Sequence, residues 1–432
     1  MMKTVSALLY VAVPKLLAGG GQLMLNLFLL RYFGPVQFGA VSVCLTAILL
    51  CDAFLGSAID LGILRLCPSY TASGNPLRSL QIQQAGLVLK PLAIGTLMIP
   101  TFLAVGPISL LLFQSRDQAN LVLLTMLALL GVLLLRSVQT YFQVEQRFNW
   151  YGGADLAHNI LRYGFVAIAL FTGFATPTVL LATYAVAPIV VSVFLLAFAA
   201  RGLLRTRINL DAFKELCRVL SWFIPTALVG GLTTRMDVFF VSSVAGVAEA
   251  GIFTAAQAIV MPAQMLGAYL AVVFGPRIMP QFENGTLGAF YRRFQGGIVI
   301  ASAASYAVAL VGITWVSPIL FPPAFQRSAS VLAILLPAAL AAFINFPLTV
   351  SLLLFLKPKL VLAIDAVAVP ILCLAYSWAI PRYGALGAAG VTTSYALVKT
   401  VLLQVTAWRI LASPNSEAGA ETAGLALSEE CR

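Results

Sequence analysis

Of 432 residues, 61% are hydrophobic and 9% charged, and the mean hydropathy is +0.97. A soluble fold needs about a quarter charged residues to cover its surface, so the solvent of this chain is mostly lipid, and one His with 15 Asp+Glu leaves little for acid–base or metal catalysis. The net charge of +11 comes without an aromatic-interleaved basic patch, so it points to basic loops beside a membrane rather than to nucleic acid.

Spanning about 30 Å of hydrocarbon takes roughly 20 apolar residues. In chain order that ruler predicts twelve helices, at about 5–30, 37–62, 82–106, 119–141, 153–172, 177–200, 217–241, 251–274, 294–316, 328–356, 360–380 and 385–409. The first begins like a signal peptide, with Lys3 ahead of an apolar run. It continues past Gly19-Gly20-Gly21 to Arg31 without a small-residue cleavage site, and is expected to be retained. Prolines 14, 91, 188, 225, 262, 337 and 370 fall inside spans and are expected to bend them. The six cysteines, Cys44, Cys51, Cys67, Cys217, Cys373 and Cys431, form no CxxC pair and read as small apolar fillers. No metal site or cofactor is expected.

Loop charges set the orientation. With the N-terminus inside, the inner segments collect sixteen Lys and Arg, among them Arg65, Arg78, Arg147, Arg201, Arg277 and Arg409, against Arg31, Arg116, Arg327 and Arg382 outside. Both termini are then cytoplasmic, and the outer loops are too short to hold a catalytic domain. The longest inner connection, 201–216, divides the spans into lobes of six, 1–200 and 217–410. The tail, 411–432, is rich in Ala, Ser and Glu from Ser413 on and is expected to be disordered.

The halves repeat. Shifted by 212 residues, Gly34-Pro35-Val36-Gln37-Phe38-Gly39 falls on Gly246-Val247-Ala248-Glu249-Ala250-Gly251, Arg65 on Arg277 and Pro68 on Pro280. One residue of drift later, Thr183-Tyr184-Ala185 falls on Ser394-Tyr395-Ala396. Six spans per half give both halves the same orientation, so the expected fold is an all-α polytopic membrane protein. Its two six-helix lobes would be related by a pseudo-two-fold axis along the membrane normal, an architecture suited to alternating access.

Leu30-Arg31-Tyr32-Phe33-Gly34-Pro35-Val36-Gln37-Phe38-Gly39 resembles the "r-x-lGp-x-x-fG" loop after the first helix of polysaccharide repeat-unit flippases (Wzx type). These belong to the multidrug/oligosaccharidyl-lipid/polysaccharide exporter superfamily. Asp60-Leu61-Gly62 is similar to their "dlG" near the end of the second helix. Ala245-Gly246 through Gly251-Ile252-Phe253 is similar to their "lG-x-x-x-vGiY", and Tyr383-Gly384-Ala385-Leu386-Gly387-Ala388-Ala389 to "yGa-x-GaA" at the twelfth helix. The family's tyrosine after the second glycine is Phe253 in the second half and Ala40 in the first. The resemblance implies a non-enzymatic flippase in a bacterial inner membrane. It would carry an undecaprenyl-diphosphate-linked oligosaccharide, such as an O-antigen or exopolysaccharide unit, from the cytoplasmic to the outer leaflet. It would work as a monomer beside bilayer lipids and the polysaccharide polymerase machinery. The alternatives are a multidrug cation exporter of the same superfamily, a peptidoglycan-precursor flippase (which would carry two further helices), and a membrane glycosyl polymerase or acyltransferase.

An ionisable group inside a span costs several kcal/mol unless it is paired or faces water, so each is a functional candidate. Lys15, Lys90, Arg136, Arg162, Arg235 and Lys399 are the basic ones; Asp52, Asp60, Asp155, Asp237 and Asp365 are the acids. A lipid diphosphate needs a cationic, wet cavity, so Arg and Lys are the expected tools. Lys15 with Gln22 and Asn26 forms a polar stripe that either lines the cavity or pairs with a buried acid on another helix. Arg235 is either a substrate contact or an interfacial anchor. Lys399 and Lys90 are further candidates for the cationic cavity. Asp155, His158 and Arg162 share one face of the fifth span, as either a proton-coupling stripe or a charge-compensated helix start. Asp52 and Asp60 are candidates for binding a coupling cation.

Overall fold

A lipid environment reverses the usual placement of side chains, and the chain follows that reversal. Phe171 and Leu374, on membrane-length helices, are 92% and 74% exposed, whereas Asp52, Asp60, Lys90, Gln83, Gln84 and Arg162 are buried. The structure is a computed structural model that describes residues 2–261, 287–345 and 358–412. The predicted span 251–274 beyond residue 261, the span 328–356 beyond 345, Arg277, Pro280 and the tail from Ser413 lie outside the described residues.

Helix α1 runs Met2–Tyr32, and α2 (Pro35–Cys51) passes through a π-helical turn, Asp52–Ser57, into α3 (Ala58–Ala72). Then come α4 (Pro76–Leu103), short α5 (Val105–Phe113), α6 (Ala119–Val144), α7 (Phe148–Phe171), α8 (Pro177–Phe198) and short α9 (Arg201–Arg205). Helix α10 (Leu210–Phe240) also ends in a π-helical turn, Val241–Ala245, before α11 (Val247–Met261). Helices α12 (Leu287–Leu320), α13 (Arg327–Asn345), α14 (Pro358–Tyr383) and α15 (Ala385–Ala412) complete the described fold.

Local chemistry marks the boundaries. Helices α2, α4 and α8 each start with Pro in the first turn, where its missing N–H costs nothing. Asn75, Thr176 and Asn209 cap α4, α8 and α10 through their side-chain oxygens. Nine of the described helices are long and apolar enough to cross a membrane. Helix α7 is outside that set because Asp155, His158, Asn159 and Arg162 dilute its apolar character, and α1 carries a polar stripe of its own, Lys15, Gln22 and Asn26. They pack against each other, so these polar residues are used between helices rather than against lipid.

The chain divides into two compact units, Met1–Gly251 and Ile252–Arg432. In the first, α3, α4 and α10 share an apolar core of Ile59, Ile63, Cys67, Ile82, Leu216 and Leu220. A second core, around Leu135, Val138, Phe142 and Leu195, joins α4, α6, α8 and α9. Helices α6 and α8 approach closely at Gly131, where a Cβ would lie 2.8 Å from the Ala185 carbonyl oxygen. Lipid offers no hydrophobic drive between helices, so close backbone packing at small residues supplies the attraction. In the second unit, α13, α14 and α15 pack together, with α12 against α13.

The repeated loops meet within the first unit. A Cβ on Gly39 would sit 2.0 Å from the Val247 carbonyl oxygen, and one on Gly251 would sit 2.1 Å from that of Pro35. Under the 212-residue shift Gly39 becomes Gly251 and Pro35 becomes Val247, so the contact is self-complementary, as a two-fold relation requires. Only glycine allows backbones this close.

Candidate functional site

The charged groups inside the spans gather in clusters. The first is built on the π-helical turn between α2 and α3. Lys90 of α4 donates to Asp60 Oδ1 at 2.6 Å, and Thr140 of α6 donates to the same oxygen at 2.7 Å. Arg136 of α6 places Nε 2.6 Å from Asp52 Oδ1 and Nη1 3.9 Å from Asp60 Oδ2. The approach to Asp52 is an ion pair without hydrogen-bond alignment. Two acids and two bases make the group neutral, which limits the cost of burying it. Lys90 is 0% exposed and turns no face to an open space, whereas the Arg136 side chain remains 39% exposed. Gly56, inside the π-helical turn, leaves room for the pair: a Cβ there would lie 2.2 Å from Asp52 Oδ1. Such turns recur at functional sites because the extra residue re-aims the side chains around it.

The second cluster joins α1, α7 and α8. The Arg162 guanidinium donates from Nη2 to Gln22 Oε1 and to Asn159 Oδ1, both at 2.7 Å. It lies 5.0 Å from the Tyr163 ring centroid and 4.5 Å from that of Tyr184. Gln22 in turn donates to Asn26 at 2.9 Å and to the Tyr184 hydroxyl at 3.2 Å. Tyr163 anchors α7 to α1 through the Ala18 carbonyl at 2.8 Å. Among the described residues no carboxylate lies within ion-pair distance of Arg162; amides and ring faces hold it instead. One end of α7 carries Asp155, which accepts from Gln139 at 3.4 Å, with His158 Nδ1 4.0 Å away and lacking a hydrogen bond. Lys15 stands over the Tyr151 ring at 5.4 Å. The stripe Asp155, His158 and Arg162 is thus split: the first two face each other, while Arg162 belongs to the Gln22 network.

The second unit holds its own pair. Lys399 Nζ and the Tyr395 hydroxyl, both on α15, donate to Asp365 Oδ1 of α14 at 2.5 Å each. Deeper in this unit an uncharged network runs from Tyr291 to Gln404 (2.8 Å), Gln404 to Asn345 (3.2 Å) and Asn345 to Thr400 (2.8 Å). Arg235, on α10, is half-buried and makes no hydrogen bond or ion pair among the described residues. Asp237 is buried and accepts from the Val238 N–H at 2.8 Å. Among the described residues no three His, Cys, Asp or Glu converge as a metal site would require.

Sequence reading alone left Thr140, Asn159, Tyr163, Tyr184 and Tyr395 out of the site. For two of them a signal existed: Tyr184 and Tyr395 are repeat equivalents, and each anchors the charged cluster of its own half. Thr140, Asn159 and Tyr163 look like any other polar residue in a span until their partners on other helices are placed.

The family model described as Polysaccharide biosynthesis protein matches residues 8–280. Among solved structures, the fold is similar to "Lipid II flippase MurJ, inward closed conformation", with TM-score 0.74, 12% identity, 92% of this chain and 87% of that chain covered. It is also similar to an inward-facing multidrug resistance MATE family transporter of the MOP superfamily, with TM-score 0.64, 14% identity and coverage of 94% and 100%. A MOP superfamily transporter from Pyrococcus furiosus matches with TM-score 0.58, 15% identity and coverage of 94% and 96%. No curated protein matches the sequence.

Proposed function

Because this chain belongs to the polysaccharide biosynthesis protein family, we propose that it is a flippase. It moves an undecaprenyl-diphosphate-linked oligosaccharide from the cytoplasmic to the outer leaflet by alternating access of the repeats 1–200 and 217–410. The observation that carries this reading is the basic lean of the charges within the spans, six bases to five acids, and their pairing: among the described residues three bases meet no carboxylate, whereas of the acids Asp155 meets no Lys or Arg. Asp52, Asp60 and Asp365 are each held by a base. Lys15, Arg162 and Arg235 make no ion pair with a carboxylate among the described residues. A cation inside a span without a carboxylate partner is costly, and a passing diphosphate of two or more negative charges offsets that cost. An organic-cation exporter needs the opposite surplus.

Lys15, Gln22, Asn26, Arg162 and Arg235 are the proposed substrate contacts, with Asp155 and His158 beside them as the proposed coupling pair. The excess of Lys and Arg in alternate loops supports cytoplasmic termini and an inner-membrane location, with the polymerase machinery as the partner that consumes the flipped unit.

The test is transbilayer movement in proteoliposomes of a fluorescent undecaprenyl-diphosphate oligosaccharide, run beside ethidium. Protein-dependent movement of the lipid and not of ethidium is the expected result, and Arg235→Ala and Lys15→Ala should each slow it. Ethidium transport without lipid movement would overturn the proposal.

A further inference from the structure

The second unit contains a cavity of about 1030 Å³ between α14 and α15, with Ile334 of α13 on its wall. Its lining is mostly apolar, with polar side-chain atoms from Trp378, Tyr383, Ser394, Tyr395 and Lys399. One end is closed: at Gly387 the two helices touch, and a Cβ there would lie 2.5 Å from the Ala379 carbonyl oxygen. Less than one turn further along α15, Gly390 has nothing within 4 Å of where its Cβ would be, so the groove is open at that position. Small residues, Ala368, Ala375, Ala379, Gly387 and Gly390, recur along both walls. From Leu386 to Leu402, both lining residues, the helical rise makes the groove about 24 Å long, most of the thickness of a bilayer's hydrocarbon.

At the far end from Gly387 stands the charged pair. Asp365 receives two donors on one oxygen, Tyr395 and Lys399. If Lys399 turns to another anion, Tyr395 still donates to Asp365, which lessens the cost of parting the ion pair. The Lys399 side chain is more open than that of its partner, 22% against 12% exposed.

A long apolar groove with a releasable cation at one end fits a chain-like hydrocarbon with a phosphate at its head. We propose that this groove holds the head-proximal part of the prenyl chain of the lipid-linked substrate, with Lys399 binding the phosphate nearest the chain. The proposal rests on the flippase reading for the identity of its ligand, and deepens it by giving the hydrocarbon a seat separate from the cluster around Arg162. The chain enters along α15 with its head beside Lys399, and its head-proximal isoprene units fill the groove as far as the point where Gly387 meets α14. The notched walls of small residues accept the methyl branches of a prenyl chain, which a straight acyl chain lacks.

Equilibrium binding of radiolabelled geranylgeranyl diphosphate to the purified full-length protein in detergent tests this without requiring transport. Gly390→Phe, which fills the open part of the groove, should weaken binding at least tenfold. Lys399→Gln, which can still donate to Asp365, should weaken the diphosphate at least tenfold and leave geranylgeraniol unaffected. Inorganic diphosphate should not compete. Equal binding to wild type and Gly390→Phe would overturn the proposal, as would equal competition by phosphatidylglycerol or equal loss of diphosphate and alcohol in Lys399→Gln. Binding at this groove in a protein that moves no lipid-linked glycan would remove the flippase reading and leave the groove standing. Movement with Gly390-insensitive binding would remove the groove alone.

Discussion

Lys90 offers the sharpest test of the buried charge network. Its ammonium is fully enclosed and bound to Asp60 at 2.6 Å, so Lys90→Met leaves a carboxylate in the interior. Thr140 at 2.7 Å and Arg136 at 3.9 Å still face that carboxylate. Breaking a buried pair from one side costs about 3–5 kcal/mol, and the two remaining partners put the expected loss near the lower end, about 3 kcal/mol. Asp60→Leu strands the ammonium instead, with no other carboxylate bonded to it, and should cost at least as much. The double variant Lys90→Met with Asp60→Leu replaces the pair by apolar volume. It should recover most of the loss, with a coupling of at least about 2 kcal/mol. Tryptophan fluorescence during denaturation of the detergent-solubilised protein reads each value, and proteoliposome transport reads activity. A Lys90→Met variant of normal stability but without transport, unrescued by Asp60→Leu, would refute the structural role and return Lys90 to the substrate path.

Three further outcomes are expected. Arg162→Lys loses the planar group between Tyr163 and Tyr184 together with two amide hydrogen bonds, and should lower the initial rate of lipid transport at least tenfold. Tyr184→Phe removes one neutral hydrogen bond to Gln22 and should cost about 1 kcal/mol of stability by the same denaturation assay. Gly39→Val and Gly251→Val each force side-chain atoms into a facing backbone carbonyl, at about 1–3 kcal/mol apiece. Because both open the same contact, their combined fall in Tm should be smaller than the sum.

Membrane-length segments, nine of them seen among the described residues, are legible in the sequence because hydrocarbon thickness acts on consecutive residues, and so is the repeat. Gly39 and Gly251 stand out as matched glycines before any coordinates, yet only the fold shows that each lies against the other's loop. The candidate charges are equally visible, since any ionisable residue in an apolar run is conspicuous. Their partners are not. Lys90 bonds Asp60 across 30 residues, Lys399 bonds Asp365 across 34, and Arg162 reaches Gln22 across 140. A helix fixes which of its own residues share a face, but the rotation of one helix against another is decided by side-chain packing and close-approach glycines such as Gly131. Sequence therefore determined how many charges lie in the membrane and on which spans. Tertiary structure alone decided that Lys90 and Lys399 are matched by acids while Lys15, Arg162 and Arg235 meet no carboxylate among the described residues.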